Sequence, residues 1–331
     1  MVNSFSRLLR SHEYKMLAAT FLLLVAALSV SAQQNVTSWH VVWVGGQSNS
    51  VGTNTQRAGY PTWPLTPAIQ MYNFKKDSFS PAQYPIYNDD NVGFSLTYAN
   101  LLLSTLPAGH GVVLVSTGVG GTGFHAHQWN APDGPLLVRS VNVTQALFRA
   151  ITPALGGSAT MHSFLWHQGE QDAGDNKGLL RAPIFQASYC TYLCDDLSPL
   201  IDFLREQVPT ASATTPFVDG GLLPFWLDKV AGTDAVESAI YAVNTSRACT
   251  GTADSRVFSD YNPDGTPAGD PNARSGASDL VIHFTATQQS FFGFEYWRAY
   301  LRALGLTTVV PSDQTKACPT AAIQPSVTAC G

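Results

Sequence analysis

The sequence is poor in charge, and no segment of it concentrates basic residues. Only 12% of its 331 residues are Asp, Glu, Lys or Arg, and the formal net charge is −5 at pH 7. Proteins that bind nucleic acid ordinarily carry a basic patch that neutralises phosphates, so we expect no nucleic-acid partner. Hydrophobic residues make up 45% of the chain, which is ample for a packed core.

The chain also lacks an apolar run long enough to span a membrane. The run "MLAATFLLLVAALSV" at 16–30 has 15 residues, whereas a spanning helix needs about 20. Basic residues precede it and "VSA" follows it, as in a secretory signal peptide. We predict a signal peptide over residues 1–32, a secreted, extracellular protein and no stable membrane insertion after cleavage. An uncleaved signal anchor is the alternative, and Met16 is a second candidate start.

Cysteine is scarce as well, with five residues: Cys190, Cys194, Cys249, Cys318 and Cys330. Their spacing does not match the ligand pattern of a zinc site, so we predict no metal. In an oxidising compartment they could form two disulfides and leave one thiol, with the connectivity open. Three N-x-S/T sequons, at Asn35, Asn142 and Asn244, are candidate glycosylation sites.

Short apolar runs alternate with segments of helical spacing. The runs predict buried strands at 41–46, 111–118, 161–169 and 215–223. The helical spacing predicts helices at 94–106, 136–152, 189–208 and 285–305. The last helix has a predicted capping box of Thr285 and Gln288. This alternation indicates βαβ units and a parallel sheet covered on both faces. The Gly/Pro/Asp-rich segment 250–280 is predicted to be a long loop.

Polar residues follow the predicted strands at their carboxyl ends, where open parallel sheets bind ligands. Ser48, in "GQSN", follows the first strand, and Gly120 and Gly121 follow the second. Gln168 and Glu170, in "WHQGEQD", follow the third. Each segment alone is also an ordinary polar turn, so a function is indicated only by their combination.

A histidine and an acidic residue near the last helix complete this set. A serine hydroxyl becomes a nucleophile when a histidine accepts its proton, an acidic group orients the histidine and N–H donors stabilise the oxyanion. His283, with Asp279 four residues before it, offers such a base and acid. The order Ser…Asp…His strengthens the prediction that this pair serves a strand-end serine as base and acid.

These blocks resemble the sialate O-acetylesterase-like branch of the SGNH hydrolases, a carbohydrate esterase group that includes acetylxylan esterases. The similar segments are "GQSN" with Gly52, "GGTGFHAHQW", "LWHQGEQDA" and "HFTATQQSFFG", which together span about residues 45–293. The resemblance implies an α/β fold, a three-layer α/β/α sandwich with a flavodoxin-like parallel sheet. We place this esterase domain at 33–306 and an extended C-terminal tail at 307–331.

The resemblance also implies a role for each site residue. Ser48 would be the nucleophile, and His283 would be the general base. The oxyanion hole would comprise the Ser48 N–H, a Gly120 or Gly121 N–H and the Gln168 side chain. Glu170 would brace the site. No metal or other cofactor is implied.

One departure concerns the acidic residue. The family usually has its Asp three residues before the His, but here that position is Leu280 and Asp279 lies four before. Either the loop carries one extra residue and Asp279 still reaches His283, or the protein works as a Ser–His dyad or is impaired.

The function implied is a secreted serine esterase that hydrolyses O-acetyl esters on carbohydrates, of acetylxylan or sialic-acid type, through an acetyl-enzyme intermediate. Its partner would be an acetylated carbohydrate substrate. The alternatives are a catalytically impaired carbohydrate-binding protein on the same scaffold and a GDSL-type lipid esterase.

Overall fold

The computed structural model describes residues 36–53, 63–84, 92–175, 189–227, 233–258 and 282–306. Three predictions fall outside these ranges: the signal peptide at 1–32, the tail at 307–331 and the position of Asp279. Among the helices in these ranges, none is long and apolar enough to cross a membrane.

Within the described residues, strands form one seven-stranded sheet. The strands are β1 (Ser38–Gly46), β2 (Ile69–Asn73), β3 (Ser78–Pro81), β4 (His110–Ser116), β5 (Ser158–His167), β6 (Phe217–Gly220) and β7 (Thr250–Ala253). Their spatial order is β3-β2-β4-β1-β5-β6-β7. All neighbours are parallel except β2 and β3, which pair antiparallel at the edge.

The predicted α/β fold with a flavodoxin-like sheet is confirmed. The strands β4-β1-β5-β6-β7 have the doubly wound order 2-1-3-4-5, and the β2–β3 hairpin extends the β4 edge. The chain leaves β1 toward β4 on one side and reaches β5 on the other. The carboxyl end of β1 is therefore the topological switch point, where such sheets bind ligands.

Helices cover both faces of this sheet. The described helices are α1 (Ser95–Leu103), α2 (Pro135–Leu155), α3 (Glu170–Asp175), α4 (Ser198–Gln207), α5 (Pro224–Leu227), α6 (Thr233–Ser246) and α7 (Ala286–Ala303). Alternate β1 residues Val41 and Trp43 pack in a cluster with side chains of α2, α4 and α6. On the other face, Ser163 of β5 bonds to Tyr98 of α1 at 2.9 Å. Residues 41–46 are all buried, as a central parallel strand requires.

Most of the predicted elements are present with shifted ends. Helix α7 begins after Thr285, and both hydrogen bonds of the predicted capping box with Gln288 are formed. The predicted helix at 189–208 contains a π-helical segment, Thr191–Leu197, before α4. The loop prediction for 250–280 is wrong over its first residues, because Thr250–Ala253 is strand β7 and Ser255–Phe258 is a 3₁₀ helix. Strand β7 has only four residues and lies next to a segment rich in turn-forming residues, so the sequence pattern did not predict it.

Candidate active site

Ser48 lies in the turn that follows the central strand. β1 ends at Gly46, and a 3₁₀ helix covers Ser48–Ser50. Gly46 has a φ of +115°, and a Cβ there would lie 2.0 Å from the carbonyl oxygen of His167. Only glycine fits where the ends of β1 and β5 approach so closely. Ser48 is 5% exposed and lies at the carboxyl edge of the sheet.

The loop after β4 lies directly against Ser48. The Val119 N–H donates to the Gly46 oxygen at 2.9 Å, which ties this loop to the β1 turn. A Cβ on Gly120 would lie 3.8 Å from the Cβ of Ser48. Gly120 and Gly121 are both exposed, and Gly121 has a φ of +68°. The structure thus brings Gly120, the first of the predicted glycine pair, against the serine.

Asp172, on α3, holds the segment that follows the glycine pair. Its carboxylate accepts the backbone N–H of Phe124 at 3.0 Å and that of His125 at 2.8 Å. A Cβ on Gly123 would lie 2.7 Å from the same carboxylate, so this position also needs glycine. Hydrogen bonds to a carboxylate are stronger than those between neutral groups. The buried Asp172 therefore fixes the conformation of this loop.

Gln168 has internal partners for its side chain. It is fully buried, and its Nε2 donates to Asp172 Oδ2 at 2.6 Å and lies 3.3 Å from Gln47 Oε1. The Tyr192 hydroxyl donates toward the Gln168 main-chain oxygen at 2.8 Å and its Oε1 at 3.1 Å. The amide is thus oriented by neighbouring side chains, and its oxyanion role stays a prediction.

Asn49, the residue after Ser48, connects three parts of the site. Its Nδ2 donates to Glu170 Oε1 at 2.5 Å and to the Ile282 oxygen at 2.8 Å. Its Oδ1 accepts the Phe284 N–H at 3.1 Å, and Gln289 Nε2 donates to its main-chain oxygen at 2.9 Å. Asn49 therefore holds the backbone on both sides of His283, which is half-buried.

A fully buried histidine, His167, lies beneath this arrangement. His167 Nε2 lies 3.0 Å from Glu170 Oε1, and both side chains are fully buried. His167 Nδ1 lies 3.1 Å from the Tyr296 hydroxyl, which in turn donates to the Trp166 oxygen at 2.6 Å. Gly220 leaves room for this contact, since a Cβ there would lie 2.4 Å from His167 Nδ1.

Glu170 is stabilised as a carboxylate despite its burial. Burial alone would raise its pKa, but attraction to His167 and hydrogen bonds from His167 and Asn49 lower the pKa below its ordinary value. A buried carboxyl that accepts several N–H donors favours its charged form. Glu170 can therefore anchor Asn49 as an ionised acceptor.

Two further buried carboxyls behave in the opposite way. Burial raises the pKa of Asp219, at the end of β6, well above its ordinary value, and repulsion from Glu237 and Glu170 adds to this. Burial also raises the pKa of Glu237 to about 8, opposed by a hydrogen bond from the Leu222 N–H. The neutral acid is favoured in both, in contrast to Glu170.

A comparison with protein families identifies the chain. Residues 38–207 match a family model described as carbohydrate esterase, sialic acid-specific acetylesterase. The matched stretch includes Ser48, the glycine pair, Gln168 and Glu170. The chain belongs to this family.

Solved structures share the fold of this carbohydrate esterase. A protein from Arabidopsis thaliana superposes with a TM-score of 0.55 at 20% identity, covering 81% of this chain and 98% of its own. NanS superposes with a TM-score of 0.53 at 16% identity, covering 82% of this chain and 98% of its own. A sequence search against curated proteins gives no match.

The described residues of the esterase bring most of the predicted site together. Gly120 lies against Ser48, Glu170 bonds to the neighbouring Asn49, and Asn49 holds the segment of His283. Asp279 lies outside the described residues, so its reach to His283 is untested.

Sequence reasoning missed four residues that shape the esterase site: Asn49, His167, Asp172 and Tyr296. Three of them lie inside the quoted motifs "GQSN" and "WHQGEQD", so their position was a signal. Tyr296 gave none, because it lies 129 residues from its partner His167 and looks like an ordinary core aromatic.

Proposed function

We propose that the chain is a serine esterase that removes O-acetyl groups from carbohydrates, with Ser48 as nucleophile and His283 as general base. Membership of the family supports the acetylesterase chemistry. The observation that carries the assignment is the Asn49 side chain, which joins the turn of Ser48 to the backbone on both sides of His283. A nucleophile and its base have to be held within hydrogen-bond reach.

The reaction has two steps. His283 accepts the Ser48 hydroxyl proton while Oγ attacks the acetyl carbonyl carbon, and the tetrahedral intermediate collapses as the sugar oxygen leaves with the proton from His283. The acetyl group is then bonded to Ser48. A water molecule gives its proton to His283 and attacks this ester, and acetate leaves as the proton returns to the Ser48 oxygen.

The oxyanion of each intermediate needs donors fixed before the reaction. In our proposal these are the backbone N–H of Ser48, that of Gly120 or Gly121, and the Gln168 amide. The proximity of Gly120 to Ser48 and the hold of Asp172 on the following loop support the backbone donors. Removing one such donor typically costs about 10²–10³ in turnover.

Asp279 is proposed as the residue that orients the His283 imidazole. The Asn49 contacts hold the main chain of this segment, and the acidic residue of a Ser-His-Asp triad orients the imidazole ring. Asp279→Asn should lower kcat by at least about 100-fold if Asp279 reaches the ring. A variant with wild-type kcat would instead establish a Ser–His dyad.

Ser48→Ala tests the assignment of the nucleophile. We expect the variant to fold and to lose at least about 10³-fold in acetate release from aryl acetates and acetylated xylan. A fluorophosphonate probe should label the wild type at Ser48 and leave the variant unlabelled. Ser104→Ala, which removes a hydroxyl at the end of α1, is the matched control and should keep full activity. Activity or labelling that survives Ser48→Ala would refute the proposal, and an unlabelled wild type that binds sugar would identify a binding protein.

The substrate class is proposed from the family: acetylated xylan or O-acetyl sialic acid. Release of acetate from acetylated xylan, acetylated pectin and O-acetyl sialic acid, measured side by side, would rank them. Equal or faster hydrolysis of long-chain lipid esters would contradict a carbohydrate substrate.

We also propose that residues 1–32 direct secretion and are then removed, leaving the esterase domain at 33–306 and the tail at 307–331. Expression in a secretory host should release protein whose first residue is Gln33. Recovery of the full chain in the membrane fraction would show that the segment acts as an anchor.

A further inference from the structure

Beneath the Ser48 turn, four buried side chains are joined in series by hydrogen bonds: Tyr296, His167, Glu170 and Asn49. The first link fixes the position of one proton. The Tyr296 hydroxyl lies 2.6 Å from the Trp166 carbonyl oxygen, which can only accept, so the hydroxyl hydrogen points there. The Tyr296 oxygen then has only lone pairs to offer His167 Nδ1 at 3.1 Å, and Nδ1 carries a hydrogen.

The second link fixes the orientation of Asn49. The Phe284 N–H is a donor, so the Asn49 atom that faces it at 3.1 Å is the amide oxygen. The amide nitrogen therefore faces Glu170 Oε1 at 2.5 Å and the Ile282 oxygen at 2.8 Å, and it has one hydrogen for each. Glu170 Oε1 is thus an acceptor of the Asn49 amide.

The third link joins His167 to the same carboxylate oxygen. His167 Nε2 lies 3.0 Å from Glu170 Oε1, which already accepts from Asn49. A carboxyl oxygen has lone pairs for two N–H donors, so Glu170 Oε1 can accept from both Asn49 and His167. His167 Nε2 then donates a hydrogen to Glu170, so both ring nitrogens of His167 carry protons.

Aromatic rings and buried acids surround His167. Its ring centroid lies 5.6 Å from that of Phe284 and 5.5 Å from that of Phe292, and both ring pairs are edge-to-face. The other titratable groups around the pair are Tyr192, Tyr296, Asp219, Glu237 and Asp172. Burial raises the pKa of the first four, which favours their neutral forms at pH 7. The Asp172 carboxylate accepts from Phe124, His125 and Gln168, so Glu170 is the carboxyl group that contacts His167.

We infer that His167 is held with both ring nitrogens protonated and that, with Glu170, it is a positioning residue: the pair fixes Asn49, and Asn49 fixes the backbone of His283. This inference rests on the proposed roles of Ser48 and His283. His167 itself does not touch the reacting atoms in this scheme. It acts through Glu170 and Asn49, and its effect is on turnover rather than on substrate affinity.

The two-proton state of His167 is tested without any variant. In protein labelled with ¹⁵N-histidine, the His167 ring nitrogens should both show shifts of protonated nitrogen at pH 7. His167→Gln supplies the assignment, or Glu170→Gln if that variant does not fold. A His167 with one unprotonated nitrogen at pH 7 would overturn the inference.

The positioning role is tested by turnover per nucleophile. For His167→Gln and Glu170→Gln, the active sites are counted by labelling one sample to completion with fluorophosphonate. The kcat for an aryl acetate is measured on unlabelled enzyme and expressed per Ser48 that can be labelled. Each variant should lower kcat at least about 10-fold with KM changed less than about 3-fold, and the double variant should be no worse than the poorer single one, as for residues that act as a unit. His110→Gln is the control and should keep wild-type kcat, because His110 is the first residue of β4 and lies at the amino end of the sheet, away from Ser48.

Two outcomes separate the possible failures. Variants that are less stable but turn over at the wild-type rate per labelled site would show that the buried pair is only structural. If the wild type neither labels at Ser48 nor hydrolyses acetyl esters, the proposed function is wrong and the positioning role falls with it. The two-proton state of His167 is then judged by the ¹⁵N shifts alone.

Discussion

Asn49 Oδ1 accepts the backbone N–H of Phe284 at 3.1 Å, so the residue after Ser48 holds the residue after His283. The two are 235 positions apart in the chain. This bond and the bond from Asn49 Nδ2 to the Ile282 oxygen join the turn after β1 to the segment before α7.

Replacing Asn49 by aspartate should damage both stability and activity. A carboxylate would face Glu170 Oε1 and the Ile282 oxygen, so three acceptors would meet without a donor. We expect a loss of about 1–3 kcal/mol in the free energy of unfolding, measured in urea. Turnover of an aryl acetate should fall by about 100-fold or more, because the His283 segment is released. Asn73→Asp is the matched control: its Oδ1 only accepts from Lys75 and Lys76 N–H groups, so unfolding and activity should hardly change.

Asp172→Asn should impair the loop beside Ser48. The amide of the new side chain would point a donor at the N–H of Phe124, that of His125 or the Gln168 amide, each of which needs an acceptor. We expect kcat to fall by about 10–100-fold with KM less affected, since donors to the oxyanion act mainly in the transition state. Asp234→Asn, on an exposed helix turn, should leave kinetics unchanged. Equal kinetics for the two variants would show that Asp172 does not contribute to catalysis.

Acid should weaken the fold through two half-buried histidines, His40 and His162, at the amino end of the sheet. Burial and then repulsion from His110 lower the pKa of His40 to about 4, and burial followed by repulsion from His40 lowers that of His162 well below 6.5. Above pH 6.5 both are neutral in the folded and unfolded chains. As the pH falls from 6.5 to about 4, only the unfolded chain gains protons, so stability falls, by about 3 kcal/mol for His40. His162→Phe should flatten this dependence in urea unfolding at pH 4–7, and an unchanged slope would contradict the assignment.

Glu237 should act in the opposite direction. Its folded pKa is raised to about 8 from 4.5, chiefly by burial. As the pH rises from 4.5 to 8, the unfolded chain loses this proton and the folded chain keeps it, so stability falls. Glu237→Gln keeps an acceptor for the Leu222 N–H without a charge. The variant should gain stability over the wild type as the pH rises, by a few kcal/mol at pH 8. A difference that does not grow with pH would rule out this titration.

Gly46 and Gly121 both have positive φ, but they should respond differently to alanine. A Cβ on Gly46 would lie 2.0 Å from the His167 oxygen, whereas a Cβ on Gly121 would meet nothing within 4 Å. Gly121→Ala should cost about 1–2 kcal/mol from backbone strain alone. Gly46→Ala should cost clearly more or prevent folding, because two strands must move apart. Similar unfolding midpoints for the two variants would contradict this account.

The central architecture was predictable because its signals are local. The apolar runs before Ser48 and Gly120 are buried on both faces, and Thr285 with Gln288 forms a cap within one helical turn. The edge hairpin β2–β3 was missed, because its strands are four and five residues long and only partly buried.

The support of the site was less predictable because its contacts are distant. The bond of Asn49 to Glu170 joins residues 121 positions apart, and that of His167 to Tyr296 joins residues 129 apart. Composition and periodicity describe neighbours along the chain, so such pairs become visible only once the sheet order is known. The sequence motifs contain Asn49 and Asp172, but they do not indicate which residues these side chains contact.

The clamp on Phe284 also has a meaning for biosynthesis. Chains are made from the amino end at about 5–20 residues per second, so the 235 residues that separate Asn49 from Phe284 take about 10–50 s to follow. During that time the nascent chain holds Ser48 without its proposed base. In the proposed mechanism, a chain interrupted before Ile282 would carry the nucleophile but hydrolyse nothing, so ester cleavage would begin only after the segment of His283 has been made.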